Sequence, residues 1–449
     1  MAFGQILGGE KFGGGKSKRE PILMLSERDL LISGLNSPIA VTASYRGGGV
    51  LSASSSDANI ATVSVSGNTI SVTGVAEGSC TITASTAGTD GYYSDSTTLN
   101  VTVETVYGAI WDGTSTTKFT RTDGAANFTD PVPYKSGAAS YGSPFDNIQP
   151  WAGMVKSNNS SAGTVVAIPK FWYKLEKYGT GGISVKISNV QRDGFSVSPA
   201  HMNRDDGKGE RDVVYVGRYH CAENTYKSTA NVKPQASTTR ANFRTSIHNL
   251  GSNIWQLDFL TRFTLWLLYI VEFADWNSQE KIGYGCGNNS STENMGYTDG
   301  MPYHTGTMQS ARETYGLGTQ YRNIEGLWDN VYDWIDGCYN NSSGLNIIKK
   351  PSSFSDSSGG TCIGLPTSGY PTKLNVSNSA GVPIFYPTEA SGGDGSNYTS
   401  DYWNFVTSNP CVCGGGNYNR GVNRGLFYLG CSSASGSDGY FGSRLLVLP

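Results

Sequence analysis

The residues that could do chemistry in this chain are few and scattered. Its eight cysteines are Cys80, Cys221, Cys286, Cys338, Cys362, Cys411, Cys413 and Cys431, irregularly spaced and without a CxxC pair. They read as free thiols and not as a disulfide framework. Cys411-Val-Cys413 is the one close pair, and a lone CxC is a poor metal signal. The four histidines, His201, His220, His248 and His304, show no ligand spacing. There is no GxSxG, the turn that would present a serine nucleophile. Asp205-Asp206 lies in the charged run MNRDDGKGERD, which reads as a solvated loop and not as a glycosidase carboxylate pair. A second carboxylate set, Glu325, Asp329, Asp333 and Asp336, could face a cation, but its spacing is not that of a calcium loop. The expectation is a protein that is not an enzyme, with no cofactor and no metal.

Binding chemistry, by contrast, is concentrated in one place. Residues 411–449 read CVCGGGNYNRGVNRGLFYLGCSSASGSDGYFGSRLLVLP. The apolar run 445–448 predicts a buried strand. Around the Leu426-Phe427-Tyr428-Leu429 anchor, Tyr, Ser, Gly, Asn and Arg dominate, with no hydrophobic period. Such a composition suits an adaptable binding surface: tyrosine gives rigid contact area, while Ser, Gly and Asn give adjustable hydrogen bonds. Between 414 and 444 there is no Lys, Glu, Gln, Met or Trp. These are the residues that an Asn codon cannot become when only its two adenines change.

The stretch GGGNYNRGVNRGLFYLGCSSASGSDGYFGSRLLV resembles the variable region of retroelement-diversified proteins, C-type-lectin-fold proteins of phages and bacteria that include phage tropism determinants. In that family a reverse transcriptase rewrites chosen adenine-bearing codons, and the fold displays the products as a ligand-binding face. The resemblance implies exposed variable positions at Asn417, Tyr418, Asn419, Arg420, Val422, Asn423, Arg424, Tyr428, Gly430, Cys431, Ser432, Ser433, Ser435, Ser437, Asp438 and Tyr440. It implies scaffold positions at Gly415, Gly416, Gly421, Gly425, Leu426, Phe427, Gly442, Arg444 and Leu445. NIEGLWDNVYDWIDG resembles the G-N-V-W-E-W signature of the same fold, shared with formylglycine-generating enzymes, with the match on Gly326 to Trp334. Trp328 and Trp334, six apart, would then pack under the variable face. The oxidase relatives need a cysteine pair just after the glycines. Residues 417–425 hold none, so no nucleophile is visible.

The elements that must position this stretch can also be read. At 449 residues the chain should hold two or more domains. Only 15% of its residues are charged and 58 are glycine, which suits turns and β-structure. A net charge of -3 argues against a general nucleic-acid binder. The longest apolar stretch, 254–273, contains Asp258, Arg262 and Glu272, which a lipid-facing span would not tolerate. The first twenty residues lack the apolar core of a secretion signal and read as a tether. Short alternating runs at 22–25, 39–45, 60–65, 69–75, 79–85 and 98–103 predict a β-sandwich. Within it, SASSSDANIATVSVSGNTISVTGVAEGSCTITAS resembles the bacterial Ig-like group 2 domain, a spacer or adhesive module. All nine tryptophans lie beyond residue 107, so a large aromatic core is expected there. Alternation predicts a strand over 165–178, and helical spacing predicts a buried helix over 255–274. The Ser-, Gly- and Asn-rich stretch 340–410 reads as long loops beside the C-terminal face.

The expected fold class is therefore α+β: a tether at 1–20, an all-β Ig-like sandwich at 21–104, and a C-type-lectin-like domain at 105–449. The expected function is a phage virion subunit, part of a tail or head fibre, that binds a host-surface protein or glycan. Tyr418, Arg420, Arg424, Tyr428 and Tyr440 would be its anchors. Other virion proteins would bind the N-terminal segment, and the resemblance implies a homotrimer, with no membrane insertion. The competing readings are a decoration protein that makes only structural contacts, and a bacterial surface adhesin.

Overall fold

A computed structural model describes residues 17–449 apart from 33–34, 36–37, 48, 104, 286–288, 312–315, 317, 393–395, 420 and 422. The chain divides into two compact units between Thr105 and Val106. In the first, two four-stranded sheets share a core. One runs Ile22–Leu25, Pro38–Arg46, Thr69–Gly74, Ala61–Ser66; the other runs Asp29–Ile32, Asp95–Val103, Gly78–Thr86, Leu51–Ser55. Alternation sets their faces: Val41, Ile70 and Val72 from one sheet meet Ile32, Ile82, Leu99 and Val101 from the other. The strands Asp29–Ile32 and Leu51–Ser55 were not expected. The first is short, and the second is masked by its run of small polar residues.

The second unit corrects the expected α+β class. Strands make up 40% of the chain and helix only 8%. Among the described residues, six small sheets of two to five strands accompany three α-helices: α1 (Arg240–His248), α2 (Phe259–Phe273) and the single turn α3 (Ser278–Lys281). Helical periodicity at one strong helix does not carry a fold class when most of the chain is short strands separated by turns.

Helix α2 is the axis of the core, and all fifteen of its residues are buried. It starts later than 255 because the Asp258 carboxylate accepts the Thr261 N–H, an N-cap, and it ends at Ala274 in the left-handed region. The residues before it, Ile254–Gln256, form a strand paired with Leu445–Val447. Trp266 packs against Phe385, Trp403 and Phe427, and Trp276 against Trp111 and Phe119. The charges that bar a membrane span are met inside: Glu272 pairs with Arg322 at 2.5 Å, Asp258 with Arg204, and Arg262 faces Asp333 at 3.8 Å and donates to the Leu327 and Leu426 carbonyls.

Two further expectations change. The stretch 165–178 is two strands, Gly163–Pro169 and Trp172–Tyr178, which belong to different sheets. Lys170 and Phe171 leave the ladder between them, bonding Asp212 and Ser198 instead. The stretch 340–410 is not loop: it holds Gly344–Ile347, Thr361–Gly364, Tyr370–Ser377, Ile384–Ser391 and Trp403–Asn404. Tyr370–Ser377 pairs with Ile384–Ser391, burying Leu374, Ile384 and Phe385. Burial in these strands does not alternate: Gly344–Ile347 is buried throughout, and the Tyr370–Ser377 and Ile384–Ser391 pair buries mainly one end of each strand, so no period of two shows among the Ser, Asn and Gly.

Candidate ligand-binding face

The C-terminal stretch is built on one five-stranded sheet, in the order Trp403–Asn404, Leu429–Ser432, Cys411–Gly414, Tyr332–Trp334, Phe441–Gly442. Two irregular segments leave this sheet: 415–428 and 433–440. The first opens on a turn that needs glycine. Gly415 has φ +74°, and a Cβ there would lie 2.2 Å from the Leu327 carbonyl oxygen. The chain then crosses the tryptophan motif, where Tyr418 N–H donates to the Asn330 carbonyl at 3.0 Å. Asn330 itself has φ +68°, a conformation asparagine tolerates, and its side-chain amide closes on both backbone groups of Glu293.

A row of rings lies along the centre. Tyr332 stacks on Tyr428 with centroids 5.5 Å apart, and Tyr440 meets Tyr332 edge-on at 6.1 Å. Trp334 stacks on Phe441 at 4.1 Å. The Arg424 guanidinium lies 4.4 Å from the Tyr428 centroid and 5.8 Å from that of Tyr332, so it caps the row by cation–π attraction. At the rim, the Tyr440 hydroxyl donates to Asp438 at 2.8 Å, and the Asn423 amide donates to the Tyr370 hydroxyl at 3.0 Å.

Beneath the rings is a buried polar frame. Asp333 faces His220 at 3.0 Å, Arg444 at 3.4 Å and Arg262 at 3.8 Å. Burial opposes the ionisation of Asp333, but the Arg444 guanidinium and the hydrogen bond from His220 hold its carboxyl below the usual range. Arg444 also donates to the carbonyls of Gly217, Arg218, Glu325 and Gly326, tying two chain segments to the chain just before its final strand. Asp401 accepts the N–H groups of Gly425 at 2.6 Å and Phe427 at 2.9 Å, which fixes the turn before the ring row. Burial pushes its carboxyl up to about 7 against the pull of those two bonds.

The expected variable positions divide. Tyr418, Asn423, Arg424, Ser432 and Tyr440 are half-buried, and Asn419, Ser433, Ser435, Ser437 and Asp438 are exposed. Arg420 and Val422 lie outside the described residues. Four expected exposed positions are instead buried: Asn417, Tyr428, Gly430 and Cys431. Asn417 turns its carbonyl back to the Asn419 N–H. Tyr428 is covered by Arg424. Gly430 and Cys431 are in the strand Leu429–Ser432, and a Cβ on Gly430 would fall 2.6 Å from the Tyr428 hydroxyl. Of the expected scaffold positions, Gly415, Gly416, Gly425, Leu426, Phe427, Gly442, Arg444 and Leu445 are buried, while Gly421 is half-buried.

The carboxylates of the tryptophan motif do not converge. Glu325 accepts from Gly296 and Thr298, Asp329 from Gly318 and Thr319, Asp333 faces His220 and the two arginines, and Asp336 pairs with Arg244. Among the described residues, no His, Cys, Asp and Glu cluster could hold a metal ion. The seven described cysteines are free thiols. Burial pushes Cys411 up to about 11 and Cys413 up to about 12, away from the thiolate that attacks or ligates. His220 has both ring nitrogens engaged, by the Asp333 carboxylate and the Asp329 carbonyl.

Sequence reasoning missed Tyr332 as a member of the ring row, although it lies within the motif read as scaffold. It also missed Asp401 and Arg262, which are isolated charges far away in the chain and carry no local pattern. Among the described residues, no helix is long and apolar enough to cross a membrane. No protein-family model matches the chain, and the search of curated proteins finds no match.

Proposed function

We propose that the chain is a ligand-display protein: a subunit of a phage particle whose C-terminal face binds a protein or glycan on the host surface. The proposed anchors are Arg424, Tyr440 and Tyr418, with Tyr332 and Tyr428 as the wall behind them. Asn419, Asn423, Ser433, Ser435, Ser437 and Asp438 would set specificity by adjustable hydrogen bonds. On this reading the tyrosines and the arginine supply most of the binding energy, as aromatic and arginine anchors do in protein interfaces. Single contacts would be weak, and copies on one particle would add avidity.

One observation carries the reading. Within 27 residues the chain alternates between positions locked into a sheet and positions that keep surface, and the second set carries the Tyr, Asn, Ser and Arg chemistry. Retroelement diversification of this face is part of the proposal and rests on the resemblance and on the codon-accessible residue set.

The experiment is binding of the full-length chain to an array of bacterial envelope polysaccharides and proteins, with the double variant Arg424→Ala/Tyr440→Ala beside it. The expected result is a ligand that binds the parent chain and is lost by at least about tenfold in the variant. Equal binding by both would overturn the assignment of the face. For diversification, the DNA flanking the gene should contain a near-copy of codons 411–449, with adenines at the variable positions, beside a reverse transcriptase. Finding neither sinks that part alone.

A further inference from the structure

A second concave site lies in the second unit, built by residues that play no part in the face just described. It is a cavity of about 210 Å³ whose lining includes Asp206, Lys208, Arg211, Trp255, Lys350 and Leu448. Its electrostatics are one-sided. Three cations line it against a single carboxylate, and Lys208 and Lys350 make no ion pair among the described residues. The neighbouring Lys349 is by contrast paired with Asp205 at 2.9 Å.

Arg211 marks the cavity as more than a basic surface. It is only 5% exposed, one Nη donates to Asp206, and its Nε and other Nη have no hydrogen-bond partner. A guanidinium carries five donors in a planar fork, and leaving buried donors unmade is costly. Asp206 leaves part of that fork unfilled. Burial opposes the ionisation of Asp206, but the Arg211 bond holds its carboxyl below the usual range, so the cavity keeps an ionised carboxylate and still a net excess of cations. An oxyanion entering beside Asp206 would complete the fork, with Lys208 and Lys350 at the rim.

The rest of the wall limits what carries that oxyanion. Trp255 and Leu448 offer apolar surface, and Trp255 is held in place by His248 stacked 3.9 Å away. Ser252, Asn253 and Ser352 add neutral polar groups. The volume lies below the roughly 300–1,000 Å³ of pockets that take drug-sized ligands, so one ring with its charged group is the natural size.

We infer that this cavity binds a single acidic sugar residue, its carboxylate or phosphate on Arg211 and its ring against Trp255. The site does not depend on the ligand-display reading, since it shares no residue with that face.

The test is isothermal titration of the full-length chain at low salt with four probes: glucuronate, glucose 1-phosphate, inorganic phosphate and glucose. Binding of one or both acidic sugars, with glucose not binding and phosphate at least about tenfold weaker, supports the site. Stronger binding of glucuronate assigns a carboxylate sugar, and stronger binding of glucose 1-phosphate a phosphorylated one. Equal binding of phosphate and the sugars, or binding of glucose, overturns it, as does no binding by any probe. Arg211→Lys keeps the charge but loses the fork, and should weaken the acidic sugar by about tenfold or more. Because Arg211 is buried, the exposed pair Lys208→Ala/Lys350→Ala provides a variant that keeps the fold. It should weaken binding and flatten its salt dependence, and unchanged binding in that pair overturns the inference. Arg424→Ala, on the display face, should leave this binding unchanged.

Discussion

Arg444 and Arg424 stand twenty residues apart in the same stretch and live in opposite surroundings. Arg444 is fully buried, faces Asp333 and donates to four backbone carbonyls in two segments, 217–218 and 325–326. Arg424 is half-buried and lies on the faces of Tyr428 and Tyr332. One arginine has nearly all its donors spent on the frame. The other keeps part of its surface towards solvent and rests on a π surface that tolerates many partners. The comparison teaches that surroundings, not residue type, decide whether an arginine of this stretch is spent on the frame or keeps surface.

Breaking the frame should have the largest effect. Arg444→Met removes one of the three partners of Asp333 and takes a buried donor from four carbonyls. It should destabilise the second unit by about 3–5 kcal/mol, read by denaturant unfolding. A loss below about 1 kcal/mol would contradict the frame role. Next comes Gly430→Val, which drives a side chain into the Tyr428 hydroxyl and should cost about 1–3 kcal/mol. That result would set Gly430 apart from the exposed serines that follow it.

Asp401 sharpens the comparison through pH. Its folded carboxyl titrates near 7, above an unfolded value of 3.8, so the native state holds the proton more tightly. This group therefore lends stability that is fully present below about 3.8 and is lost as pH rises through about 7. Asp401→Asn should remove that component, so the difference between parent and variant should change across this window and level off above it. Unfolding free energies from pH 4 to 8 measure it, and a pH-independent difference would contradict the assignment. At the small end, Ser433→Ala, Ser435→Ala and Ser437→Ala should each shift stability by less than about 0.5 kcal/mol in the same assay.

The same contrast explains what could be read from the sequence. Residues 445–448 and the anchor at 426–429 are apolar runs, and their burial follows from composition. The tyrosine- and serine-rich segments carry polar groups that the sheet does not need, so their partial exposure was legible too. Tyr428, Gly430 and Cys431 were misread because their burial depends on how the chain folds back on itself: Arg424 lies over the Tyr428 ring, and the strand Cys411–Gly414 pairs with Leu429–Ser432. No local pattern encodes those meetings. The fold class failed for a related reason. Trp255 looks like the start of a helix by spacing, yet Leu446 of the last strand claims it for a sheet. Between 340 and 410, Gly344–Ile347 is buried along its whole length and the other strands bury one to three residues each without alternating, so none shows a period of two.

The most direct test compares two libraries in the full-length chain, with the folded fraction read by resistance to proteolysis. One randomises Tyr418, Asn419, Asn423, Ser433, Ser435, Ser437, Asp438 and Tyr440; the other randomises Asn417, Tyr428, Gly430 and Cys431. Most members of the first should stay folded and most of the second should not. If both libraries lost folding to the same degree, the division of this stretch into frame and display surface would be wrong.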